Sequence, residues 1–199
     1  MDAPPEGKAD DPIDRARRRL GATPKAISSL REEVRRLREE GNRLRRTAAL
    51  LGQIHHWSEA LLEGELVLKE VLSGIASGQG LRRLFLWKKE ESVFHLIGRD
   101  GSGGLVDARP VKVGLETAGA TWAMGKPRFF KDLSLAPTAV QEGVQVACRS
   151  LLSLPLRGCG GGWVLEAMDH LDGNALGSRA LEEIPILAPW AALAASPVR

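Results

Sequence analysis

The chain has 199 residues, 43% of them hydrophobic and 27% charged, with two cysteines and a net charge of +3. That composition suits one globular domain of ordinary size with an extension, and it excludes a disulfide scaffold. The charge is uneven: residues 1–51 carry 13 Lys and Arg against 9 Asp and Glu, a balance of +4, leaving 15 against 16 for the remainder. Basicity therefore belongs to the amino-terminal part of the chain.

Residues 1–24 hold Pro4, Pro5, Pro12 and Pro24, several charges and few large apolar groups, and are expected to form a disordered basic arm. The first residues are acidic and proline-bearing, unlike a secretory leader. The most apolar segment, 184–195, falls short of the roughly 20 residues of a membrane span and contains Pro185 and Pro189. A reducing cytoplasm is the expected location. The run Arg15, Arg17, Arg18, Arg19 precedes a leucine repeat, as in a basic-region zipper, but Gly21 and Pro24 break the continuous helix that such a region lays in the major groove. Sequence-specific nucleic-acid binding is therefore not expected.

The repeat itself places Leu30, Leu37, Leu44 and Leu51 seven residues apart, with Ile27 and Val34 at the intervening positions of a heptad seam. With the leucines at d, the g positions are Glu33 and Glu40 and the e positions are Arg31, Arg38 and Arg45. A parallel pair of helices then sets Glu33 against Arg38 and Glu40 against Arg45. Residues 25–60 are expected to form a parallel dimeric coiled coil, weakened at the a positions Gly41 and Ala48.

The apolar stripe continues through Ile54, Trp57 and Leu61, then Leu66, Val71, Leu72 and Ile75, with a break at Gly64. Gly78 to Gly80 end this helix and the hydrophobic period falls to two. Residues 84–87 and 93–97 read as a hairpin, 99–104 as a loop with Asp100-Gly101 at its turn, and 106–113 as a strand that Pro110 confines to an edge. Leu115, Ala118 and Trp122 lie at helical spacing, stopped by Gly125 and Pro127, and 128–130 is a short strand. The stretch 131–147 is looser, with a helical turn expected near 138–143. Residues 149–156 and 163–168 form a second hairpin across a glycine-rich loop. Ser178 is expected to cap a last helix that Pro185 kinks.

In this order, several joints resemble a GAF domain, the small sensing and dimerising module related in shape to PAS. The resemblance rests on the helix 66–75 running into the strand 84–87, on Gly114-Leu115 opening a helix that ends at Met124-Gly125-Lys126-Pro127, and on Phe130-Lys131-Asp132. Its most specific part is Arg149-Ser150-Leu151-Leu152-Ser153-Leu154-Pro155-Leu156, then a glycine turn and Trp163-Val164-Leu165-Glu166. It implies an α+β domain over 61–199, with an antiparallel sheet flanked by helices. It also implies a ligand pocket on the sheet face away from the dimerising helices, near Phe130, Asp132, Val144, Ser150 and Leu152.

The chemistry-bearing residues are sparse. The cyclic-nucleotide signature of some GAF domains is present only as Lys126, Phe129 and Asp132, without its Asn and with Leu133 after the Asp. Cys148 is followed by Arg149 where bilin-carrying relatives have His, and Cys159 lies in the glycine turn, so neither cofactor attachment nor a thiol relay is expected. His55 falls at an a position with Glu59 four residues on, but no further metal ligands accompany it. No phosphate loop or catalytic triad order occurs.

The sequence thus points to a non-enzymatic regulatory protein without a cofactor. It is expected to act as a parallel homodimer through an unidentified protein partner, with a small-molecule ligand as an option. A ligand-free structural adaptor with a filled GAF-like core, its pocket occupied by Trp122, Phe130 and Trp163, is the alternative. A DNA-binding regulator is the third reading.

Overall fold

The computed structural model describes residues 24–101, 109–137, 147–159 and 161–196. Contacts divide the chain into two units with the boundary between Gly52 and Gln53. Helix α1 (Pro24–Leu62) supplies the described part of the first unit and the opening segment of the second.

In the second unit, α2 (Leu68–Gln79) is followed by β1 (Leu81–Glu90), β2 (Val93–Asp100) and β3 (Val111–Lys112). Then come α3 (Glu116–Met124), β4 (Arg128–Phe130), a 3-10 turn (Leu133–Leu135), β5 (Leu151–Leu156), β6 (Trp163–His170) and α4 (Ser178–Ala194). The strands form one antiparallel sheet in the order β3-β2-β1-β6-β5-β4. The two long hairpins β1–β2 and β5–β6 are thus joined through β1 and β6, which are distant in sequence and buried at the centre.

Alternation along the strands divides the core in two. Leu84 and Leu86 of β1 point to one face, where α2 contributes Val71, Leu72, Ile75 and Ala76 and α4 contributes Ile184, Leu187, Ala188, Ala191 and Ala192. Phe85 and Trp87 point to the other, where they cluster with Phe94, Val111, Ala118, Leu133, Leu151, Val164 and Met168 under α3. The register between β1 and β2 shifts at Leu86/Trp87, so that Leu86 faces Gly98 and Trp87 faces Leu96, leaving Ile97 as the extra residue of a bulge.

Gln53 to Leu62 of α1 are held to the second unit by Trp57, which is 3% exposed and stacks at a tilt on Trp190 with centroids 6.3 Å apart. Its close approach to α2 requires Gly74, where a Cβ would stand 2.8 Å from Trp57 Cζ2. The helix ends at Leu62, and Gly64 takes φ +75° in the connection to α2. Gly80 and Gly125 close α2 and α3 in the left-handed conformation, each donating its backbone N–H to carbonyls of the last turn.

Several elements differ from their sequence-based outlines. Both strands of the first hairpin are longer, and Arg99 and Asp100 belong to β2 and not to a loop. Alternation conceals this because a strand near the sheet rim carries charged residues without penalty. Of the expected strand 106–113, only Val111 and Lys112 are paired, Pro110 lies outside it, and 106–108 fall outside the described residues. The expected turn at 138–143 and the arm 1–23 also fall outside them. Gly177, not Ser178, takes the N-cap position of α4, with no side-chain cap. Pro185 and Pro189 both lie inside α4, which runs unbroken because its opposite face is buried along its whole length.

Candidate functional site

Two features stand out from the packing. The first is the seam on α1, where Leu30, Leu37, Leu44 and Leu51 are 62%, 54%, 62% and 59% exposed and Val34 is also exposed. Only Ile27 among the seam residues is half-buried. The charges beside the seam bond along the helix: Arg36 Nη2 donates to Glu33 Oε1 at 2.7 Å and Arg35 Nη2 to Glu32 Oε1 at 3.2 Å. Such i,i+3 pairs contribute about 0.2–0.5 kcal/mol each. His55 Nε2 lies 3.4 Å from Glu59 Oε1, both exposed.

The second is a buried carboxyl group at the centre of the sheet, beneath α3. Glu166 of β6 is 2% exposed. Cross-strand pairing sets it between Phe85 of β1 and Ser153 of β5. Trp87 Nε1 donates to Glu166 Oε2 at 2.9 Å, Ser153 Oγ lies 3.3 Å from Oε1, and the Thr117 side chain of α3 makes a further hydrogen bond. Burial pushes the Glu166 carboxyl above the usual carboxylate range. The three hydrogen bonds act in the opposite direction, and the nearby Glu116 carboxylate adds to the rise. A buried anion without a cation costs far more than one that is paired. One turn along α3, Thr121 Oγ1 is buried with no hydrogen-bond partner among the described residues.

The residues expected to line a pocket are placed as follows. Phe130 is half-buried and packs on the α3-side core beneath the Arg128 guanidinium, 5.0 Å from its ring centroid. Leu152 is buried next in sequence to Leu151, whose side chain belongs to the α3-side cluster, so alternation sets Leu152 and Phe130 on opposite faces of the sheet. Asp132 is half-buried and accepts from Ser134 N at 3.0 Å and Ser134 Oγ at 2.6 Å, opening the 3-10 turn. These bonds hold its carboxyl below the usual range.

Ser150 is fully buried. Its N–H donates to Asp169 Oδ1 at 2.7 Å, and its hydroxyl oxygen accepts the Leu176 N–H at 3.0 Å. Val144 lies outside the described residues. Of the three bulky residues suggested as fillers, Trp122 and Phe130 pack on the α3-side cluster. Trp163 faces Lys88 across the strand pair, on the side of Leu86 and Leu165.

Both cysteines are free thiols. Burial pushes the Cys148 thiol up to about 12, helped by the Asp169 and Glu166 carboxyls, and burial also raises Cys159. Among the described residues, no group of three or more His, Cys, Asp or Glu is placed to hold a metal ion. None of the described helices is long and apolar enough to cross a membrane.

No family model and no curated protein matches this chain. Solved structures do. Residues 122 to 287 of a methyl-accepting chemotaxis protein align at 13% identity over 69% of this chain and 93% of that one, with a TM-score of 0.55. The GAF domain from a phosphoenolpyruvate-protein phosphotransferase of Coxiella burnetii aligns at 16% identity over 72% of this chain and 90% of that one, with a TM-score of 0.53. Free methionine-R-sulfoxide reductase from Neisseria meningitidis, solved with its substrate, aligns at 16% identity over 64% of this chain and 73% of that one, with a TM-score of 0.50. The sheet with its flanking helices is therefore a GAF-like domain, preceded by a long helix.

The Glu166 cluster was missed at the level of sequence. Glu166 stands in a strand otherwise apolar from Trp163 to Met168, and a charged residue inside such a run is the available signal.

Proposed function

We propose that the chain is a non-catalytic regulatory protein of the cytoplasm, in which the seam of α1 pairs two copies in parallel and the GAF-like domains act through contact with a separate protein. The observation that carries this reading is the row of leucines, seven residues apart on one helix face and each more than half exposed. Burying one leucine is worth about 1.5–3 kcal/mol, against about 0.2–1 kcal/mol for an exposed ion pair, so the leucines hold the pair and the charges select its alignment. Two of the similar structures come from a chemotaxis protein and a phosphotransferase, in keeping with a signalling role. A thiol relay of reductase type requires a thiolate, and both thiols here are held protonated by burial.

Parallel order is tested by cross-linking. In a Cys148→Ser, Cys159→Ser background, Leu37→Cys is expected to form an inter-chain disulfide under mild oxidation, because equivalent d positions face each other. Persistence of the free thiol would exclude the parallel pair.

A second reading, the ligand-free adaptor, is favoured by the bulk of the α3-side core, where Trp87 and Phe94 are fully buried. A thermal-shift screen with nucleotides, amino acids and acyl metabolites separates the two. A stabilising compound identifies a sensor, and uniform silence identifies the adaptor.

A further inference from the structure

We propose that the outer apolar face of α4, formed by Ile186, Pro189 and Leu193, packs on α1 of a second copy beside its His55 and Leu62, so that the last helix of each GAF-like domain clasps the paired helices. This contact presupposes the parallel pairing of α1 and extends it beyond the leucine repeat. Where the repeat calls for the next leucine, the d position holds Ser58, and the a position before it holds His55. Two helices alone bury little there. Yet Leu62, at the following a position, is 87% exposed, and Ile186 on α4 is 51% exposed. Ser58 donates its hydroxyl to the Ile54 carbonyl at 2.8 Å, so covering this face strands no donor of that side chain.

Contacts within the domain fix where α4 stands beside α1. The Gln53 side chain lies against Gly74 and Gly78 of α2, whereas Trp57 lies between Gly74 and Trp190 of α4. At about 100° per residue, Gln53 is about 40° to one side of Trp57, and Ser58, Leu62 and His55 are about 100°, 140° and 160° to the other. The seam therefore turns toward α4 and away from α2. The same count on α4 places Ile186, Leu193 and Pro189 about 40°, 60° and 100° from Trp190, on the side away from the buried Leu187 and Ala191. Pro189 and Leu193 are half-buried, and Ile186 stands out between them and Trp190.

The heights along the helices agree as well. Gln79 at the end of α2 donates to Glu183 Oε2 near the start of α4 at 2.6 Å, while Trp190, further along α4, meets Trp57 beside Gly74, further back in α2. Gln53 lies by Gly78 and Trp57 by Gly74, so α1 and α4 both run against α2 and parallel to each other. With Trp57 level with Trp190, Ile186 comes level with Gln53 and Leu193 with Ala60. A parallel second copy carries its own His55 and Leu62 within about one turn of those heights. The two-fold axis along the coil then presents each α4 to α1 of the other copy, in two identical contacts. The second copy is thus already held at this face by the leucine seam, and the α4 contact adds to that seam without replacing it.

The test uses the full-length chain. Sedimentation equilibrium over a dilution series gives the dimer dissociation constant, which Ile186→Asp is expected to raise at least about tenfold by placing a carboxylate in both symmetric contacts. A second measurement does not depend on that variant. In the Cys148→Ser, Cys159→Ser background, chains carrying Ile186→Cys are mixed with chains carrying His55→Cys, allowed to exchange, and treated with a short bismaleimide. Peptide mass spectrometry is expected to find position 186 of one chain joined to position 55 of the other. A wild-type dimer whose dissociation constant Ile186→Asp leaves unchanged, or cross-links between like positions alone, would overturn the α4 contact and leave the coil standing. A wild-type monomer would overturn both.

Discussion

At the scale of the residue, the fold depends on a few polar side chains whose partners are distant in sequence. Asp169 sits at φ +50° and accepts the N–H groups of Arg149 and Ser150, closing the end of β6 onto the start of β5. Ser150 passes that restraint to Leu176 through its hydroxyl oxygen. Ser150→Ala leaves a buried N–H without an acceptor, so a loss of about 1–3 kcal/mol is expected in denaturant unfolding. Glu166 contributes in a different direction. Its folded-state carboxyl is raised above the unfolded value, so its share of stability is complete below the ordinary carboxylate range and is lost as pH rises through the raised value. Unfolding free energy should therefore fall with rising pH in the wild type, and the fall should be shallower in Glu166→Gln. Cys148, with its thiol at about 12, carries roughly one thiolate in ten thousand at pH 8 and should react with thiol reagents only on unfolding. The sequence could not announce these roles, because the partners of Glu166 and Ser150 come from elements that only the folded sheet brings together.

At the scale of the element, local chemistry was legible and context was not. Gly80 and Gly125 end α2 and α3 in the left-handed conformation, where glycine carries no Cβ penalty, and both stops were readable. The sequence predicts a kink at Pro185, yet α4 continues through it and through Pro189 because Ile184, Leu187, Ala188, Ala191 and Ala192 bury its inner face. That burial outweighs a proline cost of about 3 kcal/mol within a helix. Pro185 is exposed, so Pro185→Ala removes the cost without disturbing the core and should raise stability by about 1–3 kcal/mol in thermal unfolding. Gly74 shows the opposite dependence. Substitution by Leu would force a side chain into the Trp57 ring and should destabilise the domain by about 1–3 kcal/mol.

At the scale of the whole molecule, the two hairpins and the helices between them followed from alternation and turn residues, and their order carried the GAF resemblance. The pairing of β1 with β6, which turns two hairpins into one sheet, joins Leu84 to Ala167 across more than half of the GAF-like domain's length and leaves no local signature. Because the heptad is a property of a single helix, it was legible throughout. Its leucines are exposed on α1, which gives the seam a surface to offer a second copy. Sedimentation equilibrium of the full chain tests that claim most directly. The wild type should have twice the mass of one chain, and Leu37→Asp with Leu44→Asp should reduce it to the mass of one. A wild-type monomer, or a dimer that survives both substitutions, would contradict the account.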